Sequence, residues 1–448
     1  MDRVEYKEVK TKDEAIEWIH NLKTLGIKPG LSRMEWMLER LGNPERRVKF
    51  LHIAGTNGKG STASFISNVL RKSGYKVGMF TSPYLIEFTN RIQINGEDIS
   101  EEHLVEMLNR VIPLVKELEV SELGSPTEFE VVTTIAILYF ASVAYPDIVV
   151  WETGLGGRFD STNVVYPIVS VITNVGFDHM DLLGDDIKQI AMEKAGIIKP
   201  GVPVVSGVEN EEARSVIKDI AKSKKASLYQ LNEQFFIKTH KMNHLGSKFD
   251  FTGPFLTMPN LEIKMVGPHQ IKNAAVALMA LEILRQYYAF IIEEEAVYSG
   301  LKHTFWAGRF EIISEKPTVI IDGAHNPEGA LSLGETVSLF EYNRLIMVTG
   351  VLKDKAIEDL FKNFIPIADQ LIITKPDNPR ALDLKDIKKV ISTIVPTKEV
   401  ILNPDWRDAV KQALQMADQE DLVVITGSLY LISDVRRYLL EEYKKIHS

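Results

Sequence analysis

Short, almost unbroken apolar runs alternate along this chain with stretches in which apolar residues return every three or four positions. The first pattern suits strands buried on both faces, the second amphipathic helices. Residues 48–54 (VKFLHIA) form one such run, closed by Gly55. After Ser61, Phe65, Ile66, Val69 and Leu70 follow at helical spacing, with Arg71 and Lys72 in the last turn and Gly74 as a stop. Residues 75–82 (YKVGMFTS) predict a second strand, and a strand, helix, strand unit requires a parallel pair. Residues 147–152 (DIVVWE), 168–174 (IVSVITN) and 202–206 (VPVVS) predict further strands. Upstream, 11–41 read as two helices broken at 26–30. The most apolar stretch, 131–144, is about one core helix long and contains Thr133, Thr134 and Tyr139, so it predicts a buried helix and not a membrane span.

From 226 to 265 the pattern turns irregular and strand-like, which suggests a small antiparallel addition, and a helix over 270–288 follows. The alternation then restarts, with strands expected at 318–322, 345–349, 371–374, 399–402 and 421–426 and amphipathic helices between them. The reading is an α/β protein: a P-loop-containing parallel-sheet N-terminal domain and a smaller Rossmann-like α/β C-terminal domain. The boundary is expected between about Phe290 and Gly308, drawn as 1–297 and 298–448. A length of 448 residues agrees with two hydrophobic cores.

Composition narrows the function. The 45% apolar and 25% charged residues are those of an ordinary globular protein. A formal net charge of -9 argues against a general nucleic-acid or anionic-membrane surface. With no cysteine, disulfides, thiolate metal sites and cysteine nucleophiles are excluded, and a reducing cytoplasm suits the chain. The first residues, MDRVEYKEVKTKDEA, are too charged for a signal peptide.

Between the first strand and its helix lies GTNGKGS, residues 55–61. Its glycines let backbone N–H groups curl around an anion, the helix N-terminus adds partial positive charge, and Lys59 adds a full one: a polyphosphate cradle. The spacing departs from the common phosphate loop, with two residues between Gly55 and Gly58 and Gly60 between Lys59 and Ser61. Ligands of open parallel sheets gather at the carboxyl ends of strands, which singles out this loop, Ser82, Glu152 and His179. A hydroxyl, a carboxylate and an imidazole beside a triphosphate can hold Mg²⁺. Taken singly, Ser82 could equally be a turn residue, Glu152 a solvated charge and His179 a hydrogen-bonded loop histidine. The GLGGR run at 154–158 lacks the third glycine of a dinucleotide fingerprint and reads as backbone packed close to a ligand, with Asp160, Ser161, Thr162 and Asn163 in the same crevice.

GTNGKGS, TSPYL (81–85), ETGLGGRFDSTN (152–163), NVGFDHMDLLG (174–184), EKAGIIKPG (193–201), HQIKNAAVA (269–277), GRFE (308–311) and DGAHNPEGA (322–330) together resemble the folylpolyglutamate synthase and dihydrofolate synthase family, within the Mur-type ATP-dependent amino-acid ligases. The motifs stand in family order over nearly the whole chain. The resemblance implies a ligase of small molecules that adds L-glutamate to a folate, to dihydropteroate or to both, through an acyl phosphate made with ATP; a cytoplasmic monomer is the default expectation. It implies a phosphate cradle of Asn57, Gly58, Lys59, Gly60 and Ser61, and ATP contacts from Asn273, Arg309 and Asp322. Ser82, Glu152 and His179, with Lys194 as a carbamate, would hold Mg²⁺, expected as two ions. Pro83, Tyr84, Thr127, Glu128, Phe129, Glu130, Asp160, Ser161 and Thr162 match the folate and pterin region, while His325 and Ser428 would handle glutamate. Lys59, Arg309 and His325 would be catalytic.

On residues alone Asn273 could bridge helix turns, Arg309 could be a surface ion-pair partner, Lys194 a surface lysine, and Ser428 a helix cap. Asp322 and His325 could form a plain strand-to-helix turn. Rival functions are a cell-wall ligase of the wider group, a simple P-loop ATPase or kinase, and a silent nucleotide-binding regulator. The joint presence of Glu152, His179 and Lys194 disfavours the last.

Overall fold

The computed structural model describes residues 8–22, 26, 28–353 and 357–447, with the backbone alone beyond 442. The predicted runs become β1 (Phe50–Ala54), β2 (Val77–Phe80), β3 (Ile92–Ile94), β4 (Glu97–Asp98), β5 (Ile148–Glu152), β6 (Val169–Ile172), β7 (Val204–Ser206) and β8 (Leu228–Gln230). They form one sheet in the order β4-β3-β2-β5-β1-β6-β7-β8, parallel from β2 to β8, with β3 and β4 antiparallel at the edge. β1 lies between β5 and β6, so the loops leaving β1, β2, β5 and β6 crowd one sheet edge.

Alternation along β1 shows why its run is almost all apolar. Phe50 joins a core with Phe80, Trp151 and the helix Glu128–Tyr139, whereas Leu51 and Ile53 face the helices Lys59–Lys72 and Pro268–Tyr288. The buried helix expected at 131–144 is α-helical over Glu128–Tyr139 and widens to a π turn over Phe140–Ala144. The two expected N-terminal helices are Lys12–His20 and Ser32–Arg40; the break at 26–30 lies partly outside the described residues.

The expected antiparallel addition needs one correction. Leu228–Gln230 pairs in parallel with β7 and belongs to the main sheet, because its short run is buried there. The addition proper is β9 (Phe236–Asn243), β10 (Gly246–Thr252) and β11 (Thr257–Ile263), three antiparallel strands.

The helix Glu294–Lys302 packs on the helix Lys59–Lys72: Asn68 Nδ2 donates to the Gly300 carbonyl at 2.7 Å, and a Cβ at Gly300 would lie 2.7 Å from Val69 Cα. The expected division at 297/298 falls within that helix. The C-terminal domain is a second sheet of β12 (Glu311–Glu315), β13 (Thr318–Ile321), β14 (Leu345–Thr349), β15 (Gln370–Ile373), β16 (Val400–Leu402) and β17 (Leu422–Thr426). Its order is β12-β13-β17-β14-β15-β16, parallel except for β12, an edge strand that the apolar pattern did not reveal because Ile312 and Ser314 leave it half exposed. Among the described residues no helix is long and apolar enough to cross a membrane.

Candidate active site

Both domains line one cavity of about 580 Å³ at the carboxyl ends of β1, β2, β5, β6 and β13. The cradle comes from the loop after β1. Gly58 takes φ +81 as N-cap of the helix Lys59–Lys72, and a Cβ there would lie 2.3 Å from Asn273 Oδ1, so both backbone and space demand glycine. Gly60 is equally confined, by the Trp306 ring. Lys59 Nζ donates to the Gly55 carbonyl at 2.9 Å and to the Thr56 carbonyl at 3.3 Å, curled over its own loop. Burial pushes this ammonium below the usual lysine range, against the pull of Glu152 and Asp178.

Beside it, Glu152 ends β5 and is 4% exposed; burial pushes its carboxyl up to about 7, against Lys59, Arg309 and the Ser82 backbone N–H, which donates to it. Lys194, on the helix Ile187–Ala195, is 3% exposed, and burial with the nearby Lys59 pushes its amine down to about 7. A buried amine held near neutrality is the form that can add carbon dioxide. His179 sits at φ +50 before the short helix Met180–Leu183, with Nε2 3.9 Å from Asp178 Oδ1. Among the described residues no three His, Cys, Asp or Glu side chains are grouped to hold a metal unaided. Ser82 and Glu152 offer oxygen donors of the kind Mg²⁺ takes, beside the His179 imidazole, and the Lys194 amine would become such a donor only as a carbamate. Mg²⁺ keeps few protein ligands and takes the rest from phosphate and water.

The opposite wall comes largely from the C-terminal domain. Asp322 follows β13 and accepts from the Phe310 and Ala324 N–H groups at 2.8 and 2.9 Å, while burial raises its carboxyl against Arg309. Arg309 lies against Gly323, where a Cβ would be 2.3 Å from its Nη1. His325 Nδ1 is 2.7 Å from the Gly323 carbonyl. Asn273 donates to Gln270 Oε1 at 3.0 Å across a helix turn and also borders the cavity. Ser428 is 2% exposed and caps the final helix, its Oγ accepting from the Tyr430 N–H at 3.2 Å.

Asn57, Gly58, Lys59, Gly60, Ser61, Ser82, Pro83, Glu152, His179, Lys194, Asn273, Arg309, Asp322, His325 and Ser428 therefore share one cavity. The rest of the expected folate set does not line this cavity. Thr127 and Glu130 close a reciprocal capping box on the helix Glu128–Tyr139, and Glu130 pairs with Arg33 at 3.0 Å. Glu128 pairs with Arg91 at 3.3 Å, and that guanidinium lies 5.0 Å from the centre of the Tyr84 ring. Phe129 packs against Gly154 and tilts against Phe80 at 5.9 Å. Asp160 accepts from the Leu155 and Thr162 N–H groups and from the Thr162 hydroxyl, next to Ser161, while His52 Nε2 is 3.0 Å from Thr162 Oγ1. These polar atoms are largely committed to holding the loops that carry Gly154 and Pro83.

Sequence reasoning missed an amide and carboxylate network between the domains. Asn57 and Asn326 exchange side-chain hydrogen bonds of 3.2 and 3.0 Å, Asn326 also donates to Asp178 at 3.1 Å, and Asn174 donates to Glu328 at 2.8 Å. The motifs NVGFDHMD and HNPEG contain these residues, but nothing in their spacing joins the two. His269 also escaped notice; burial and Arg309 push its imidazole down to about 4.

Family models place the chain in a class of ligases: the Mur ligase middle domain matches residues 53–281, and the Mur ligase glutamate ligase domain matches 308–429. The chain is 42% identical over 427 residues, 95% of its length and 98% of the relative's, to dihydrofolate synthase/folylpolyglutamate synthase of Bacillus subtilis. Its fold matches the crystal structure of folylpolyglutamate synthase from Thermotoga maritima with a TM-score of 0.82 at 39% identity, covering 95% of this chain and 96% of that one. It matches the Mycobacterium tuberculosis folylpolyglutamate synthase complexed with ADP and AMPPCP with a TM-score of 0.89 at 30% identity, over 96% and 99% of the two chains. The chain belongs to the folylpolyglutamate synthase and dihydrofolate synthase family, and it is an acid–amino-acid ligase.

Proposed function

We propose that this chain uses ATP to join L-glutamate to the carboxylate of a folate, and to dihydropteroate, through an acyl phosphate. The observation that carries the reading is the single cavity in which Lys59 and Glu152 of one domain face Arg309 and His325 of the other. A carboxylate is a poor acyl donor because oxide would have to leave, so phosphorylation by the ATP γ-phosphoryl group must precede attack by the glutamate amine. Phosphate then departs from the tetrahedral adduct.

Gly58, Gly60 and Ser61 cradle the phosphates through backbone N–H groups, Asn57 holds the shape of the loop around them, and Lys59 swings from its own loop carbonyls onto them. Asn273 and Asp322 hold the nucleotide, and Arg309 meets the transferring phosphoryl group from the second domain, so the site is complete only when the domains close. His325 orients the amine of glutamate or takes its proton, with Ser428 beside it. Ser82, Glu152, His179 and Lys194, the last as a carbamate, would hold two Mg²⁺ ions. Bound there, Mg²⁺ supplies charge neutralisation on the phosphoryl group.

Pro83, Tyr84 and Phe129 offer the acid substrate apolar surface, while Thr127, Glu128, Glu130, Asp160, Ser161 and Thr162 fix the loops around it. Both walls of the cavity come from one chain, which supports a monomer. The absence of cysteine supports a cytoplasmic setting. The helix Glu294–Lys302 packs on the N-terminal domain, which supports dividing the chain on its C-terminal side, within 290–308. The direct test supplies ATP, Mg²⁺ and radiolabelled glutamate with dihydropteroate in one tube and a reduced folate in another. Glutamate incorporated into acceptor supports the reading, and phosphate release without incorporation refutes it.

A further inference from the structure

Every hydrogen-bonding group of Asn57 is tied, and the ties divide between the domains. From its own domain, Asn174 Oδ1 accepts from the Asn57 N–H at 2.7 Å, and the Thr173 hydroxyl donates to the Asn57 carbonyl at 2.6 Å. From the C-terminal domain, the Asn326 side chain pairs reciprocally with the Asn57 amide, and Glu328 Oε2 accepts from Asn57 Nδ2 at 3.4 Å and from Asn174 Nδ2 at 2.8 Å. Asn326 is 2% exposed and fixed from behind, since its Oδ1 caps the helix Pro327–Val337 by accepting from the Gly329 N–H at 2.8 Å. Glu328 fits only because Gly176 has no side chain: a Cβ there would be 1.9 Å from its carboxylate oxygen.

Asn57 stands two residues before Lys59, inside the loop that must shape itself around phosphate. Buried hydrogen bonds between side chains of fixed rotamer are directional, so the loop conformation depends on where the C-terminal domain puts Asn326 and Glu328. We propose that Asn326 and Glu328 are positioning residues for the phosphate loop, acting through Asn57 to make the loop phosphate-ready only when the two domains are together. ATP would then be turned over only in the closed molecule, where the acid and the amine are also held. The kinetic part rests on the ligase reading; the conformational part does not.

Asn326→Ser separates the two jobs of this residue, because serine still caps a helix but is too short to reach Asn57. Hydrogen–deuterium exchange on the full chain should show the 55–61 loop exchanging at least tenfold faster in Asn326→Ser while the helix Pro327–Val337 keeps its protection. Phosphate release from ATP with acceptor and glutamate should fall at least tenfold. The double variant Asn57→Ala with Asn326→Ser should be no slower than Asn57→Ala alone, since one residue acts through the other. Unchanged loop exchange, or losses that multiply in the double variant, overturns the proposal. Wild-type phosphate release without amide formation would refute the ligase reading and leave both of these comparisons interpretable.

Discussion

His325 of the C-terminal domain holds its Nε2 3.5 Å from Asp178 Oδ2 of the N-terminal domain, while its Nδ1 lies 2.7 Å from the Gly323 carbonyl. A carbonyl only accepts, so Nδ1 carries a proton there and Nε2 is the nitrogen aimed across the domain interface. Asp178 thus fixes the direction in which His325 can serve an incoming amine. Replacing Asp178→Asn should lower kcat by roughly 10²-fold, the scale of a misplaced reacting group, with little change in the KM for ATP. A kcat equal to wild type would detach Asp178 from catalysis.

Lys59 is the one full positive charge inside the cradle loop, and burial already disfavours that charge until an anion joins it. Lys59→Ala should cost on the order of 10²–10³ in kcat, the scale of removing one preorganised donor from a developing charge. Steady-state turnover on a variant whose circular dichroism matches wild type measures this, and near-full activity would remove Lys59 from the mechanism.

Lys194 titrates near 7 because burial and Lys59 oppose its charge. The folded pKa is depressed, so the neutral amine dominates above about 7 and the ammonium below it. With ¹³C-bicarbonate, a carbamate resonance should grow as pH rises through that value and be missing from Lys194→Arg. No such resonance in wild type at pH 8 would mean that Lys194 acts as a plain amine.

Glu130 is 1% exposed and meets Arg33, itself mostly buried, while capping its own helix. Removing one partner leaves the other charge buried, so Glu130→Ala should destabilise by about 3 kcal/mol, seen as a lower urea midpoint. The KM for the acid substrate should change less than twofold when measured well below that midpoint. A large KM change with intact stability would give Glu130 a direct substrate contact.

Legibility of this molecule from its sequence follows the range of each interaction. The GTNGKGS loop was readable because an apolar strand, clustered glycines and a periodic helix are all local signals, and the two sheets followed from the same alternation. β3, β4 and β12 were not, since short edge strands bury too little to leave an apolar run. Ser82, Glu152 and His179 could be grouped by the rule that parallel strands present their carboxyl ends together. Asn57 and Asn326 could not: they stand 269 positions apart, and only the packing of one domain against the other joins them. Thr127, Glu130 and Asp160 show the converse, polar residues in a suggestive motif whose atoms are spent on capping and loop closure.

The central claim is that the acid is activated by direct phosphorylation within the shared cavity. Acceptor carrying ¹⁸O in its reacting carboxylate should, during ligation, deliver one labelled oxygen to each inorganic phosphate released, read by mass spectrometry. Phosphate that carries no label from the acid would contradict the account.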